Sequence, residues 1–201
     1  MSTNTTTLEH PDHQAKLLDK TSFGFWVYLM TDLVLFATLF ATFAVMRTNV
    51  ASGAPLSEHY NLPFVLVETL LLLTSSFTCG LALLAVRAKQ SQLAIAGFGI
   101  TFALGACFLG MELYEFRQLV IEGNSWRASG ALSSFFTLVG THGAHITIGL
   151  LWIGVMMWRL ATKPIDANTV RRLTILSLFW HFLDIVWIFI FTMVYLLGAA
   201  S

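Results

Sequence analysis

Charge is scarce in this sequence. Only 11% of its 201 residues are Asp, Glu, Lys or Arg, against roughly a quarter in an ordinary soluble domain. The 11 basic and 11 acidic residues balance, so there is no basic surplus of the kind that a nucleic-acid backbone requires of its binder. Cysteine is nearly absent. Cys79 and Cys107 each lie inside an apolar run with no CxxC partner, which excludes a disulfide framework and reads as two buried, inert thiols. Proline occurs four times. Only Pro63 falls within an apolar run, in its first turn, where a missing N–H breaks no helical bond, so the broken helices of transporters are not indicated. The first apolar run starts at Phe23, is too long for a signal-peptide core and follows a Thr-rich stretch without a strongly basic start; no cleaved targeting peptide is expected.

What the chain has in place of charge is apolar length. It is 56% hydrophobic, and the hydrophobic residues gather into five runs, 23–46, 62–86, 93–116, 131–158 and 173–198. Each exceeds the ~20 residues that cross a bilayer as a helix. Ten-residue alternation of the barrel kind is missing, so helices are the spanning form. The expected fold is an all-α integral membrane bundle of five transmembrane helices. Residues 1–21 are expected to form a mobile tail, and residues 22–201 a single domain.

Basic residues near the span ends set the orientation. Lys16, Lys20, Arg87, Lys89, Arg159, Lys163, Arg171 and Arg172 fall on one side, and Arg47, Arg117 and Arg127 on the other. That asymmetry places the N-terminus in the cytoplasm and the C-terminus in the periplasm. Trp26, Tyr28 and Trp158 then sit near the inner boundary, and Tyr60, Tyr114, Trp126 and Tyr195 near the outer one. Small residues spaced by four, Ala37 with Ala41, Ala106 with Gly110 and Gly140 with Ala144, are expected to let other helices approach closely.

Ionisable residues inside the spans are the candidates for function, because each costs at least ~2.5–3.5 kcal/mol at the bilayer centre. They are Asp32, Glu68, Glu112, Glu115, His142, His145, His181 and Asp184. At a rise of ~1.5 Å per residue, Asp32, His181 and Asp184 lie ~14, ~12 and ~17 Å from the inner ends of their spans. His142 and His145 lie ~16 and ~21 Å from the outer end of theirs. These five share one slab near the midplane, whereas Glu68, Glu112 and Glu115 lie closer to the outer face. His142 with His145, and His181 with Asp184, are i, i+3 pairs that could meet in the bundle interior with Asp32 as a further partner. Three readings are open on the residues alone. The five form a structural network; or Asp32 handles protons; or the histidines bind a metal or haem. The Glu-xx-His repeat of di-iron bundles is missing, which counts against the last. For the outer carboxylates, ion pairs with Arg117 and Arg127 are expected.

The wording around these residues is specific. FGFWVYLMTD at 23–32, GMELYEF at 110–116, FFTLVGTHGAHITIGLLW at 135–152 and LFWHFLDIVWIFIFTMVYLLG at 178–198 together resemble subunit III of the haem–copper terminal oxidases. THGAH followed by WHFLDIVW on the last two spans is the strongest joint signal, and the likeness runs from Phe23 to Gly198. Five spans resemble the bacterial type that lacks two N-terminal helices. FGFWVYLMTD with LPFVLVET at 62–69 is most similar to the bo-type, ubiquinol-oxidising branch.

The resemblance implies a multi-pass subunit of the bacterial inner membrane with no haem or copper of its own. It would pack against a catalytic subunit I that holds both, beside further subunits such as II and IV, in a proton-pumping quinol oxidase. It also implies bound phospholipid, support of proton uptake, and a headgroup contact at Arg159. The family's carbodiimide-reactive carboxylate on the first helix falls on Asp32, where other members carry glutamate. Its structural His and Asp positions fall on His142, His145, His181 and Asp184. The alternatives within the family are subunit III of a bacterial cytochrome c oxidase and an accessory protein of a nitric oxide reductase. The alternative of another class is a small proton channel or secondary transporter using Asp32.

Overall fold

The computed structural model describes residues 11–47, 62–121 and 129–196, with side chains from Lys20 and Pro63 onward in the first two stretches. These residues form five helices, each long and apolar enough to cross a membrane. They are α1 (Pro11–Met46), α2 (Leu62–Arg87), α3 (Ser91–Ile121), α4 (Gly130–Thr162) and α5 (Ala167–Ile190), and α5 runs on into a π-helical turn, Phe191–Leu196. No strand occurs among the described residues. The helices cover the five expected spans as far as the described residues reach, the last to Leu196, and α1 reaches back to Pro11, into the stretch expected as a tail. Lys16 lies in that helical stretch, its side chain outside the described residues, as are Tyr60, Trp126 and Arg127.

Local chemistry explains the boundaries. The α2–α3 connection is a tight reversal in which Lys89 N–H bonds Val86 O and Gln90 N–H bonds Ala85 O. Lys89 takes the left-handed φ of 58° that this reversal requires. At α4, the Ser129 hydroxyl accepts from Leu132 N–H at 3.1 Å. At α5, the Asp166 carboxylate accepts from Thr169 N–H at 2.8 Å and also from the Thr169 hydroxyl. Each cap satisfies a donor that the first helical turn leaves without a partner.

α4 packs against α1, α3 and α5, and α5 also packs against α1 and α2. The core is organised by two tryptophans of α5, seven residues and so about two turns apart on one face. Trp180 is wedged between α3 and α4: a Cβ added at Gly105 or at Gly149 would lie 2.9 Å from its ring. Its indole N–H reaches α2, donating to Ser75 Oγ at 3.1 Å, and that hydroxyl donates on to Thr101 O at 3.2 Å. Trp187 donates to Thr69 Oγ1 at 3.1 Å and meets Phe108 edge-on at 4.7 Å.

The close approaches therefore differ from the expected ones. Ala37, Ala41, Ala106, Gly110 and Ala144 are exposed on the outside of the bundle. The tight contacts use Gly105 and Gly149 around Trp180, Gly143 against α3, and Gly97 against Ala82, where an added Cβ would come within 2.8 Å. Spacing by four is common in apolar helices and does not say which face has a neighbour. Cys79 is buried as expected, but Cys107 is exposed, because it shares the outer face of α3 with Ala106 and Gly110. Tyr195, expected near the outer boundary, is fully buried, its hydroxyl turned to Glu115 from the π-helical turn.

Candidate functional site

The five polar residues of the middle slab do not form one network. They separate into three arrangements, because neighbours three apart on a helix point about 60° apart and here that angle divides them between different partner helices.

The first joins α1 to α4. His145 Nε2 lies 3.1 Å from Asp32 Oδ1, with both side chains largely buried. His145 Nδ1 lies 2.7 Å from Thr141 O. A carbonyl only accepts, so Nδ1 must carry a hydrogen. The contact between Nε2 and Oδ1 then needs a second proton, since two lone pairs facing each other would repel. That proton rests either on the imidazole, giving an ion pair, or on the carboxyl, giving a neutral acid that donates to a neutral ring. In both forms the pair as a whole is neutral, which is the condition for placing it in hydrocarbon. Asp32 Oδ2 is buried with no hydrogen-bond partner among the described residues.

The second is His142, fully buried in an aromatic enclosure. It stacks on Trp187 at 5.3 Å and meets Phe108 and Phe36 edge-on at 6.0 and 6.4 Å. Neither ring nitrogen has a hydrogen-bond partner among the described residues. The third joins α5 to α2. His181 Nδ1 lies 2.5 Å from Ser76 Oγ, and the same hydroxyl sits beside the Asp184 carboxylate. His181 and Asp184 thus face α2, whereas His145 faces α1. Nothing in the sequence spacing distinguishes those partners, and Ser76 went unnoticed because a hydroxyl in a span is unremarkable until a neighbour is known.

Towards the end of the bundle away from the α2–α3 turn, Glu68, Glu112 and Glu115 gather, with Glu112 close enough to feel the charge of both others and Glu68 that of Glu115. Glu68 and Glu112 are buried, and none of their four carboxylate oxygens has a hydrogen-bond partner among the described residues. Glu115 accepts from Tyr195 Oη at 3.1 Å. The expected ion pairing is not found: Arg117 is exposed, Arg127 lies outside the described residues, and the ion pairs among the described residues involve Asp32 and Asp166 only. Arg117 is five residues from Glu112 on α3, which turns it to a different face. Glu112 lies over Gly143 of α4, where an added Cβ would come within 2.7 Å of Oε1. The glycine of THGAH is the trace in the sequence of this contact.

Arg159 is turned towards the start of α5. Its Nε donates to Thr169 Oγ1 at 3.1 Å, and one Nη lies 3.7 Å from Asp166 Oδ2. The Thr169 hydroxyl and N–H, and then the Arg159 guanidinium, hold the Asp166 carboxyl below its ordinary range. Among the described residues, no three His, Cys, Asp or Glu side chains converge as a metal's ligands would. Both nitrogens of His145 are already engaged, and His142 is closed in by rings.

The sequence from 2 to 199 matches the protein family described as cytochrome c oxidase subunit III. It is 53% identical over 188 residues to the cytochrome bo(3) ubiquinol oxidase subunit 3 of Pseudomonas aeruginosa, covering 94% of this chain and 90% of that one. It is 45% identical over 175 residues to the quinol oxidase subunit 3 of Bacillus subtilis, covering 87% and 86%. It is 43% identical over 189 residues to the cytochrome c oxidase subunit 3 of Bacillus sp. strain PS3, covering 94% and 91%.

Proposed function

Because this chain belongs to the cytochrome c oxidase subunit III family, we propose that it is subunit III of a quinol-oxidising terminal oxidase of the bacterial inner membrane. In this reading it has no redox centre. It supports a catalytic subunit that carries haem and copper, and it lies with its N-terminus in the cytoplasm. The observation that carries the reading is the 53% identity to a bo(3) ubiquinol oxidase subunit 3 over 94% of the chain. The polar contacts agree with it. Asp32 with His145, and His181 with Ser76, each link one helix to another, which is the work of residues that hold an assembly in register. The Asp32–His145 pair has a second property, since a proton shared between acid and base can be exchanged, and it is the proposed point at which this subunit touches proton uptake. Arg159, at the end of α4 close to Lys163 of the α4–α5 turn, is the proposed phospholipid headgroup contact, sharing its guanidinium with Asp166.

The test is to purify the complex through a tag on this chain. Copurification of haem-bearing subunits with quinol-dependent oxygen uptake is expected, and a tagged chain that purifies alone would overturn the reading. The second reading, a cytochrome c oxidase subunit, is favoured by the likeness to the Bacillus PS3 protein. Oxidation of cytochrome c, but not of quinol, by the same preparation would select it.

A further inference from the structure

Glu68 of α2 and Glu112 of α3 have 0% and 2% of their surface exposed, and none of their carboxylate oxygens has a partner among the described residues. A buried ionised carboxylate needs a counter-charge or several donors. Among the described residues, the groups around this pair supply neither. From α3 come Glu115, which adds a like charge, and Arg117, which points outward. From the π-helical turn comes Tyr195, whose hydroxyl is given to Glu115. From α5 comes Trp187, whose N–H is given to Thr69. His142 of α4 lies against the ring of Trp187. With no cation in reach among the described residues, four unpartnered acid oxygens among apolar side chains are best satisfied by hydrogen, as protons on the acids themselves with room for water to bring them.

Access is graded. Glu115 is only half-buried, while Glu68 and Glu112 are sealed. Tyr195 holds the Glu115 carboxylate from a turn whose widened, π-helical geometry brings the hydroxyl to it. Gly143 leaves room for Glu112 where any side chain would displace it.

We propose that Glu68, Glu112 and Glu115 form a proton-holding site in the half of the bundle away from the α2–α3 turn, with Glu115 and Tyr195 as its entrance. Its ligand is the proton, carried in by water. It is distinct from the Asp32–His145 pair, and it does not depend on what the chain's partners oxidise.

The test is infrared spectroscopy of the intact complex in which the chain is purified, comparing wild type with single variants in H2O and D2O. Expected are carboxylic-acid carbonyl bands that shift in D2O, one lost in Glu68→Gln and another in Glu112→Gln. In Tyr195→Phe both bands should remain but exchange more slowly. If a glutamine variant does not assemble, Glu68→Asp or Glu112→Asp should move the same band rather than remove it. Three outcomes would overturn the proposal. The variants could change only ionised-carboxylate bands, meaning that a bound cation balances the cluster. The acid bands could fail to exchange, meaning sealed structural acids. Or exchange could be indifferent to Tyr195, meaning a different entrance. Because the readout is the acid group and not turnover, its failure is separable from failure of the assigned oxidase role.

Discussion

α5 and α1 are both apolar on nearly all sides, yet the fold uses them differently. Over the most apolar 18 residues of each, 56% of α5 is buried and only 22% of α1. α5 is held by shape. Trp180 fills the space that Gly105 and Gly149 leave open, its N–H is given to Ser75, and Trp187 closes on Phe108 and His142. α1 leans on α4 and α5 through apolar side chains such as Leu29, Phe36 and Phe43, and the Asp32–His145 pair ties it to α4 through polar atoms. Within a bilayer, burial from lipid gains little, so close packing and interhelical hydrogen bonds decide association. α5 has both in quantity; α1 has the Asp32–His145 link and leaves most of its surface exposed.

The comparison can be broken most forcefully at α5. Trp180→Ala should cost about 3–5 kcal/mol, because it empties a site that three helices enclose. Heat-induced loss of the assembled complex in detergent would measure it, and an unchanged midpoint would show that the tryptophan is not the hub. Gly149→Val should cost about 1–3 kcal/mol by overpacking against the same ring, and the two changes combined should cost less than their sum, since the second needs the first residue to clash with.

At α1 the expected effects are smaller and more selective. His145→Leu should loosen α1 by about 0.6–1.7 kcal/mol, the range of interhelical hydrogen bonds in membranes, without disturbing α5. Disulfide trapping between α1 and α4 would report it. Asp32→Asn should be milder still, because the amide can donate to Nε2 in place of the shared proton. Oxygen reduction should continue. An unaltered ratio of protons pumped per electron would restrict Asp32 to a structural role, while a selective fall would give it a part in proton uptake.

The smallest effect is expected at the cap of α5. Asp166 is held below its ordinary range by Thr169, so its contribution is present at and above the usual carboxylate range near ~3.9 and is lost as pH falls through the depressed folded value. Amide exchange at Ala167–Val170 should rise on that acidification, and Asp166→Asn, which retains an acceptor oxygen, should flatten the dependence. An identical acid response in the variant would assign the effect to another group.

The resemblance carried by THGAH and WHFLDIVW led to the family because those motifs hold the contacts that build the bundle: Gly143 under Glu112, His145 on Asp32, Trp180 and Trp187 at the centre. Their roles were less visible. Counting along the spans assigns His142, His145, His181 and Asp184 a similar depth and so suggests a single network, but depth is one coordinate and the helix face is another. The spacing of seven between Trp180 and Trp187 is a usable signal that they share one face. The missed partner of the outer carboxylates has a similar origin: Arg117 is near Glu112 in sequence but faces away from it.

By itself the sequence determined that five helices are long and apolar enough to cross a membrane, and which ionisable residues fall inside them. Those properties follow from local length, hydropathy and a fixed rise per residue. Only the tertiary structure decided which face of each helix has a neighbour. With no polar side to mark the outside of helices that are apolar all round, that choice belongs to shape: glycines that admit a tryptophan or a carboxylate, and the few polar groups that find a partner only when two particular helices meet.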